Sequence, residues 1–382
     1  MPQQNVSAED ERTKTLITPY FHKNLLEWFK DNARDLPWRR TKDPYHIWLS
    51  EMMLQQTRVD QAMPYYLAFI DAFPTVYHLA EAPLDAVLKC WEGLGYYARA
   101  RNLHKAALKI AMEHQGVFPK TEKEALALPG VGPYSAAAVL SIAYQVPLAV
   151  LDGNVMRVLT RVLSFEADIR QPIHRAILQD WANLLLNHRS PDKHNEAIME
   201  LGATICTPKK PLCPKCPLQP TCKAYQNNRQ NELPFSSKKP KVPHFQIAVG
   251  VVFNDAGQIL INRRPDEGLL GGLWEFPGGK QELSESLEET CKRELAEELG
   301  IEVSIRQKLV VVNHAYTHFK ITLHAFLCTL SKGDPISTNG QPIQWVKESE
   351  LDQFAFPKAN NKVIDALKTR KITPTFFDET QL

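Results

Sequence analysis

The chain has 382 residues, 44% of them hydrophobic and 23% charged, which accommodates two or three soluble globular domains with separate cores. Four of the seven cysteines crowd into residues 206–222, which argues against a secreted disulfide framework. The net charge of +2 hides an asymmetry: residues 1–245 hold 30 Lys and Arg against 24 Asp and Glu, and the remainder 15 against 19. A mildly basic first part fits a polyanionic partner.

In chain order, the polar opening MPQQNVSAEDERTKT does not read as a secretory signal, so a cytoplasmic location is expected. Residues 20 to about 205 read as helices, with apolar positions at helical spacing in HKNLLEWFK and HRAILQDWANLLL. The most membrane-like stretch, YSAAAVLSIAYQVPLAVL, is cut by Gln145 and Pro147 to about one buried helix, too short to span a bilayer. LPGVGPYSA (128–136) has the form of a helix–hairpin–helix, although an ordinary glycine turn has the same look. Gly130 and Gly132 would let the backbone turn tightly and offer N–H groups to a phosphate.

Cys206, Cys213, Cys216 and Cys222 follow in a C-x6-C-x2-C-x5-C pattern. Four thiolates in a proline-stiffened loop can close a zinc site or hold an iron–sulfur cluster, and spacing alone leaves both open. Lys209, Lys210, Lys215 and Lys223 would ring that loop with positive charge suited to phosphates. The next segment, around residues 227–243, loses all periodicity and reads as a semi-extended linker. Beyond it, FQIAVGVVF, QILINRR, LVVVNHAY and KITLHAFLCTL read as strands, with a helix over 285–299.

That helix lies in GGKQELSESLEETCKRELAEELGI, crowded with glutamates. From Gly279 the stretch fits G-x5-E-x7-R-E-U-x-E-E-x-G-U without a mismatch, U being a bulky aliphatic residue. This is the Nudix pattern. Glu294, Glu297 and Glu298 fall on one helical face, where like charges repel unless a cation compensates. Hard oxygen ligands of that kind suit Mg2+ or Mn2+ gripping a diphosphate, whereas a solvated acidic helix would need neither. Ser286 with Glu289 predicts a capping box and Gly300 a helix stop.

The order hairpin, Asp152 in LDGNVMRVL, cysteine cluster resembles the endonuclease III superfamily. PWRRTKDPYHIWLSEMMLQQTRV (37–59), WEGLGYYARARNLHKAA (91–107), LPGVGPYSAAAVLS and LDGNVMRVLTR narrow the resemblance to adenine DNA glycosylases of the MutY type. The resemblance implies an all-α helix–hairpin–helix glycosylase region over 1–226, with its hairpin at 120–145 and a [4Fe–4S] loop at 206–222. A linker (227–243), a mixed α/β Nudix domain (244–370) and a tail (371–382) complete the expected organisation.

For the site, the resemblance implies Glu51 as general acid, Asp152 as stabiliser of a cationic sugar, Asn154 holding the geometry, and Tyr134 in the hairpin. Breaking an N-glycosidic bond calls for such a pair, an acid for the leaving base and an anion beside the sugar. Tyr134 stands where bifunctional glycosylase–lyases carry their Schiff-base lysine, and tyrosine forms no imine. The resemblance places Arg34, Trp38, Arg39 and Glu196 around the adenine pocket. It makes Gln56 and Tyr96 wedge residues that fill the gap left by a flipped base, with Thr57, Gly130 and Gly132 on DNA.

In the C-terminal domain, HAYTH (314–318) is similar to a loop that inserts at 8-oxoguanine, which assigns Tyr316, Thr317 and His318 to recognition, and Asn360 matches a base-reading asparagine. Gln344 departs from the pattern, standing where MutT-type hydrolases carry a further acidic ligand. The implied partner is double-stranded DNA with A:8-oxoguanine or A:G mispairs, bound by a monomer in a bacterial-type cytoplasm at the nucleoid. Two other activities stand beside this one: a glycosylase with lyase activity, and hydrolysis of 8-oxo-dGTP by the Nudix box.

Overall fold

The computed structural model describes residues 8–237, 242–316 and 318–370, with side chains from Thr18 onward. Thr317, residues 238–241 of the expected linker and the tail 371–382 lie outside the described residues. The chain divides into two compact units, Met1–Glu81 with Lys105–Lys239, and Ala82–His104 with Pro240–Leu382. The helices in chain order are α1 (Ala8–Asn32), α2 (Pro44–Leu54), α3 (Val59–Ala72), α4 (Val76–Glu81), α5 (Leu84–Cys90) and α6 (Ala98–Glu113). After these come α7 (Glu122–Leu126), α8 (Pro133–Tyr144), α9 (Gly153–Leu163), α10 (Pro172–Leu184), α11 (Pro191–Thr204) and α12 (Lys223–Gln226).

Local signals set the ends of the helices that matter most. Asp43 caps α2 by accepting from the Tyr45 N–H, with Pro44 in the first turn. The hairpin forms as expected between α7 and α8, with Gly130 in the left-handed region at φ +74°. Ser135–Ile142 are buried without interruption, so α8 is a helix apolar on every side. Alanines at 136–138 keep it slim, and α2, α7 and α11 pack around it. Gln145 ends it in a left-handed turn, so the apolar run stops at one buried helix. Among the described residues no helix is long and apolar enough to cross a membrane.

The second unit is built on a sheet of seven strands among the described residues: β1 (His244–Phe253), β2 (Ile259–Arg263), β3 (Trp274–Glu275), β4 (Gly278–Lys280), β5 (Glu302–Ala315), β6 (Lys320–Lys332) and β7 (Ile343–Val346). The order is β3-β2-β1-β6-β5, with β4 also on β1 and β7 on β2. β1 and β6 run parallel, in register at Val249 with Ala325, and the other pairs are antiparallel. Period-two alternation sends Val249, Val251 and Phe253 to one face, where α14 (Lys358–Thr369) covers them with Val363 and Leu367. It sends Ala248 and Val252 to the other face, under Cys291, Leu295 and Leu299 of α13 (Leu287–Leu299). Both ends of α13 are as read, a Ser286–Glu289 capping box and Gly300 left-handed.

Residues 82–104, which helical periodicity does not separate from their neighbours, group with this second unit. Glu92 Oε1 accepts from the Phe356 N–H (3.0 Å) and from Asn361 Nδ2 (2.9 Å). Arg101 is buried and donates to the carbonyls of Gly271 (2.5 Å) and Gly268 (3.3 Å), while Lys89 donates to that of Phe354 (3.0 Å).

One packing detail in the first unit bears directly on function. Gly202 of α11 lies against Asn154 of α9, and a Cβ there would stand 2.6 Å from the Asn154 Cβ and 3.0 Å from its carbonyl oxygen. Gly202→Ala should therefore destabilise the chain by about 1–3 kcal/mol through overpacking. Thermal unfolding of the variant checks this, and an unchanged midpoint would contradict it.

Candidate active site and candidate metal-binding segments

Four elements of the first unit meet at a buried group of polar side chains. Glu51 comes from the middle of α2, in the otherwise apolar run IWLSEMML, and is 5% exposed. Tyr134, at the start of α8, donates from its hydroxyl to Glu51 Oε2 at 2.5 Å, and that hydroxyl lies 3.3 Å from Met199 Sδ on α11. Burial raises Glu51 to about 7, the Asp152 and Glu196 charges push the same way, and the Tyr134 hydroxyl and Arg39 oppose it. The Tyr134 hydroxyl is itself raised well above its ordinary range by burial and by Glu51, so it stays a donor.

Asp152 is the N-cap of α9. Its Oδ1 accepts from the Val155 N–H at 2.7 Å, and its Oδ2 accepts from Asn154 Nδ2 at 2.7 Å. Burial raises it, while those two donors and Arg157 pull it down. A capping carboxylate and a functional carboxylate are thus the same group. Arg157, which the sequence reading passed over, is buried and donates to Asn154 Oδ1 (2.9 Å), the Gly202 carbonyl (2.7 Å) and the Cys206 carbonyl (2.6 Å). Its only sequence signal was an arginine, repeated at Arg161, on a helix of buried residues.

Arg34 and Arg39 do come together, but on a residue the sequence reading missed. Glu200, buried on α11, accepts from Arg34 Nε (2.7 Å), Arg34 NH2 (2.9 Å) and Arg39 NH2 (2.8 Å). Glu196, one turn earlier, is 3.0 Å from Lys193 Nζ and 3.8 Å from Arg39 Nε. Trp38 is buried edge-on to Tyr66, with centroids 5.1 Å apart. Gln56 and Tyr96 share an unusual backbone, left-handed at φ +60° and +52°. Thr57 follows in the turn, its N–H on the Leu54 carbonyl at 3.2 Å. Tyr96 belongs to the second unit and is 40% exposed.

Cys206, Cys213, Cys216 and Cys222 line one cavity with Arg161, Ile205, Pro211 and Tyr225. Arg161 NH1 reaches Cys206 Sγ at 3.2 Å and the Thr207 carbonyl at 2.8 Å. Burial pushes the Cys216 thiol up to about 12. Among the described residues no three His, Cys, Asp or Glu side chains stand close enough to share a single ion.

On α13 the carboxylates turn to Arg293. Its guanidinium reaches Glu285 (2.9 and 3.0 Å), Glu294 (3.1 Å) and Glu297 (3.0 Å). Arg293 holds Glu285 down to about 2. The Glu294 carboxyl carbon lies 2.2 Å from where a Cβ on Gly279 would stand, so a side chain at 279 would push that carboxylate aside. Glu298 is raised to about 7 by burial and by Glu275 and Glu294, and its buried Oε2 accepts no hydrogen bond. Gln344, on β7, is exposed.

At the strand end His314 meets Tyr316 edge-on (4.6 Å between centroids), Tyr316 lies tilted against Phe319 (4.8 Å), and His318 is exposed. Asn360 is buried, its side-chain oxygen accepting from the Phe276 N–H at 3.2 Å.

A hairpin before a slim buried helix, with the buried Glu51 of α2 on its first hydroxyl and Asp152 capping α9, defines a helix–hairpin–helix base-excision enzyme joined to a Nudix fold. Residues 49–183 match the HhH-GPD superfamily of base excision DNA repair proteins, and residues 248–366 match the NUDIX domain. The structure of a thermostable thymine-DNA glycosylase aligns with a TM-score of 0.51 and 27% identity over 57% of this chain and 98% of its own. Adenine DNA glycosylase of Mus musculus is 36% identical over 90% of this chain and 77% of its own length. The Schizosaccharomyces pombe enzyme of that name is 30% identical over 98% and 95%. The chain belongs to the adenine DNA glycosylase family.

The raised Glu51 carboxyl has a stability consequence. Unfolded, it titrates near its ordinary 4.5, and folded near 7, so the folded chain loses stability as pH rises through that window. Glu51→Gln removes this penalty, and its stability relative to the parent should grow between pH 5 and pH 8, by on the order of 3 kcal/mol. Melting temperatures of both proteins across that range check the sign, and a constant difference would refute it.

Proposed function

We propose that this chain is a monofunctional adenine DNA glycosylase that hydrolyses the N-glycosidic bond of adenine opposite 8-oxoguanine, or guanine, in duplex DNA. The observation that carries the reading is the pairing of Glu51 with the Tyr134 hydroxyl beside Asp152. A carboxyl titrating near neutrality is a competent acid at working pH, and Glu51 would hand its proton to adenine N7 as the base leaves. Asp152, held by the Val155 and Asn154 donors, would face the positive charge that develops on the sugar, and water completes the hydrolysis. Tyr134 orients Glu51 and supplies no amine, so the product strand keeps an intact backbone at an abasic site.

Around that centre, Arg34, Trp38, Arg39 and Glu196 would surround the flipped adenine. Gln56 and Tyr96, already in left-handed turns, would fill the space it leaves, and Thr57 would contact DNA. Gly130 and Gly132 would bring backbone N–H groups to a phosphate. Four cysteines around one cavity support a shared metal centre, and the family resemblance makes a [4Fe–4S] cluster its occupant. Such a cluster would tie the 206–222 loop together, and the lysines on that loop would face DNA phosphates.

We assign the Nudix domain, residues 244–370, to reading 8-oxoguanine, with Tyr316, Thr317 and His318 at the base and Asn360 holding α14 to the sheet. A Mg2+ ion at Glu294, Glu297 and Glu298 would have to displace Arg293 from two of them, and Gln344 adds no charge. The acidic helix therefore serves the fold of a recognition module. The helical region is residues 1–226, the linker 227–243, and the enzyme acts as a cytoplasmic monomer.

Asp152→Asn should abolish adenine release, by at least about 1,000-fold in single turnover, while duplex binding stays near the parent's. Release at a near-parental rate would sink the assignment. His318→Ala should narrow the rate preference for A:8-oxoguanine over A:G while leaving the A:G rate close to the parent's. An unchanged preference would remove His318 from the reading surface.

A further inference from the structure

Arg39 is the cation whose charge opposes the proton on Glu51, and its environment decides how strongly it does so. Glu51 is faced by Tyr134 from α8, by Asp152 from the N-cap of α9, by Arg39 from the turn after α1 and by Glu196 from α11. Behind Arg39 stands Glu200, fully buried, with both oxygens committed to guanidinium donors from Arg34 and Arg39. It also accepts from the Arg34 backbone N–H at 3.2 Å, and Arg39 NH1 donates to the Arg34 carbonyl at 3.2 Å. The whole 34–39 turn, which carries Trp38, is thereby tied to α11. The same helix presents Glu196 to Arg39 and Met199 to the Tyr134 hydroxyl.

A bidentate carboxylate between two guanidinium groups is a rigid arrangement, because the forked donors fix direction as well as distance. A buried charge stripped of its partner acts strongly on its neighbours. We propose that Glu200 is a positioning residue of the glycosylase centre: its buried carboxylate clamps Arg34 and Arg39 in one arrangement and neutralises the charge that Arg39 turns toward Glu51. The proposal rests on the reading of Glu51 as the general acid. Without Glu200, an unneutralised Arg39 would favour the Glu51 carboxylate, and the acid would be lost at a lower pH. Glu200 itself touches neither base nor sugar.

The test measures single-turnover adenine release from duplex DNA between pH 5 and pH 9, using the full chain. In Glu200→Gln the basic limb of the profile should move down by about one unit, so the rate falls about tenfold at pH 8 and about threefold or less at pH 6. Glu200→Asp, which keeps the charge, should restore most of the parental profile. A Glu200→Gln limb that stays at the parental midpoint, or a loss equal at every pH, overturns the proposal. Should Glu200→Gln fail to fold, the double variant Glu200→Gln/Arg39→Gln reads the same quantity. Its midpoint is expected at or above the parent's, and a lower one overturns the idea. Glu51→Gln separates the two levels of inference. Parental release by that variant refutes the general-acid reading itself, whereas its inactivity beside an unmoved Glu200→Gln profile refutes only the role of Glu200.

Discussion

A carboxyl group withdrawn from water governs the helical unit. Glu51 sits in the middle of an apolar helix, and the penalty for charging it there is what raises its titration to about 7. The neighbouring helices answer that constraint. α8 is slim enough to lie beside α2 and begins with Tyr134, whose hydroxyl bonds Glu51, so the hairpin that precedes it sets where that hydroxyl stands. α9 brings Asp152 as its own cap, and the glycine on α11 gives Asn154 room to reach it. The helix scaffold and the candidate site share the same atoms.

The acidic helix of the second unit faces the same problem with a different solution. There the carboxylates are numerous and partly solvated, and one arginine gathers three of them. The single guanidinium offsets only part of their charge and holds them by direction, through hydrogen bonds to all three. Glu298 is the exception, half-withdrawn from solvent, where burial and the Glu275 and Glu294 charges raise it to about 7.

Much of this was legible in the sequence because the relevant signals are local. A lone glutamate in IWLSEMML, an aspartate three residues ahead of Val155, a glycine pair before Pro133 and the capping box of α13 each announce themselves within one turn of chain. The long strands β1, β2, β5 and β6 also declare their period, whereas β3, β4 and β7, at two to four residues, are too short to show one. Glu200 escaped for a different reason. In AIMELGAT it is one more helical glutamate, and its partner Arg34 lies 166 positions away. Asn360 is legible as a residue type, but its bond to the Phe276 N–H depends on how α14 meets the sheet.

The grouping of residues 82–104 with the Nudix fold alters what counts as a separable part. Helix α6 starts in one compact unit and ends in the other, so the division of the chain falls inside a helix. A gene fragment ending at the linker would still encode Glu92, Lys89 and Arg101, but not Phe354, Phe356, Asn361, Gly268 and Gly271, which complete their hydrogen bonds. The buried Arg101 guanidinium would lose both its acceptors at once. A Nudix domain held in this way resists exchange for that of a distant relative, since any graft must reproduce backbone carbonyls at matching positions.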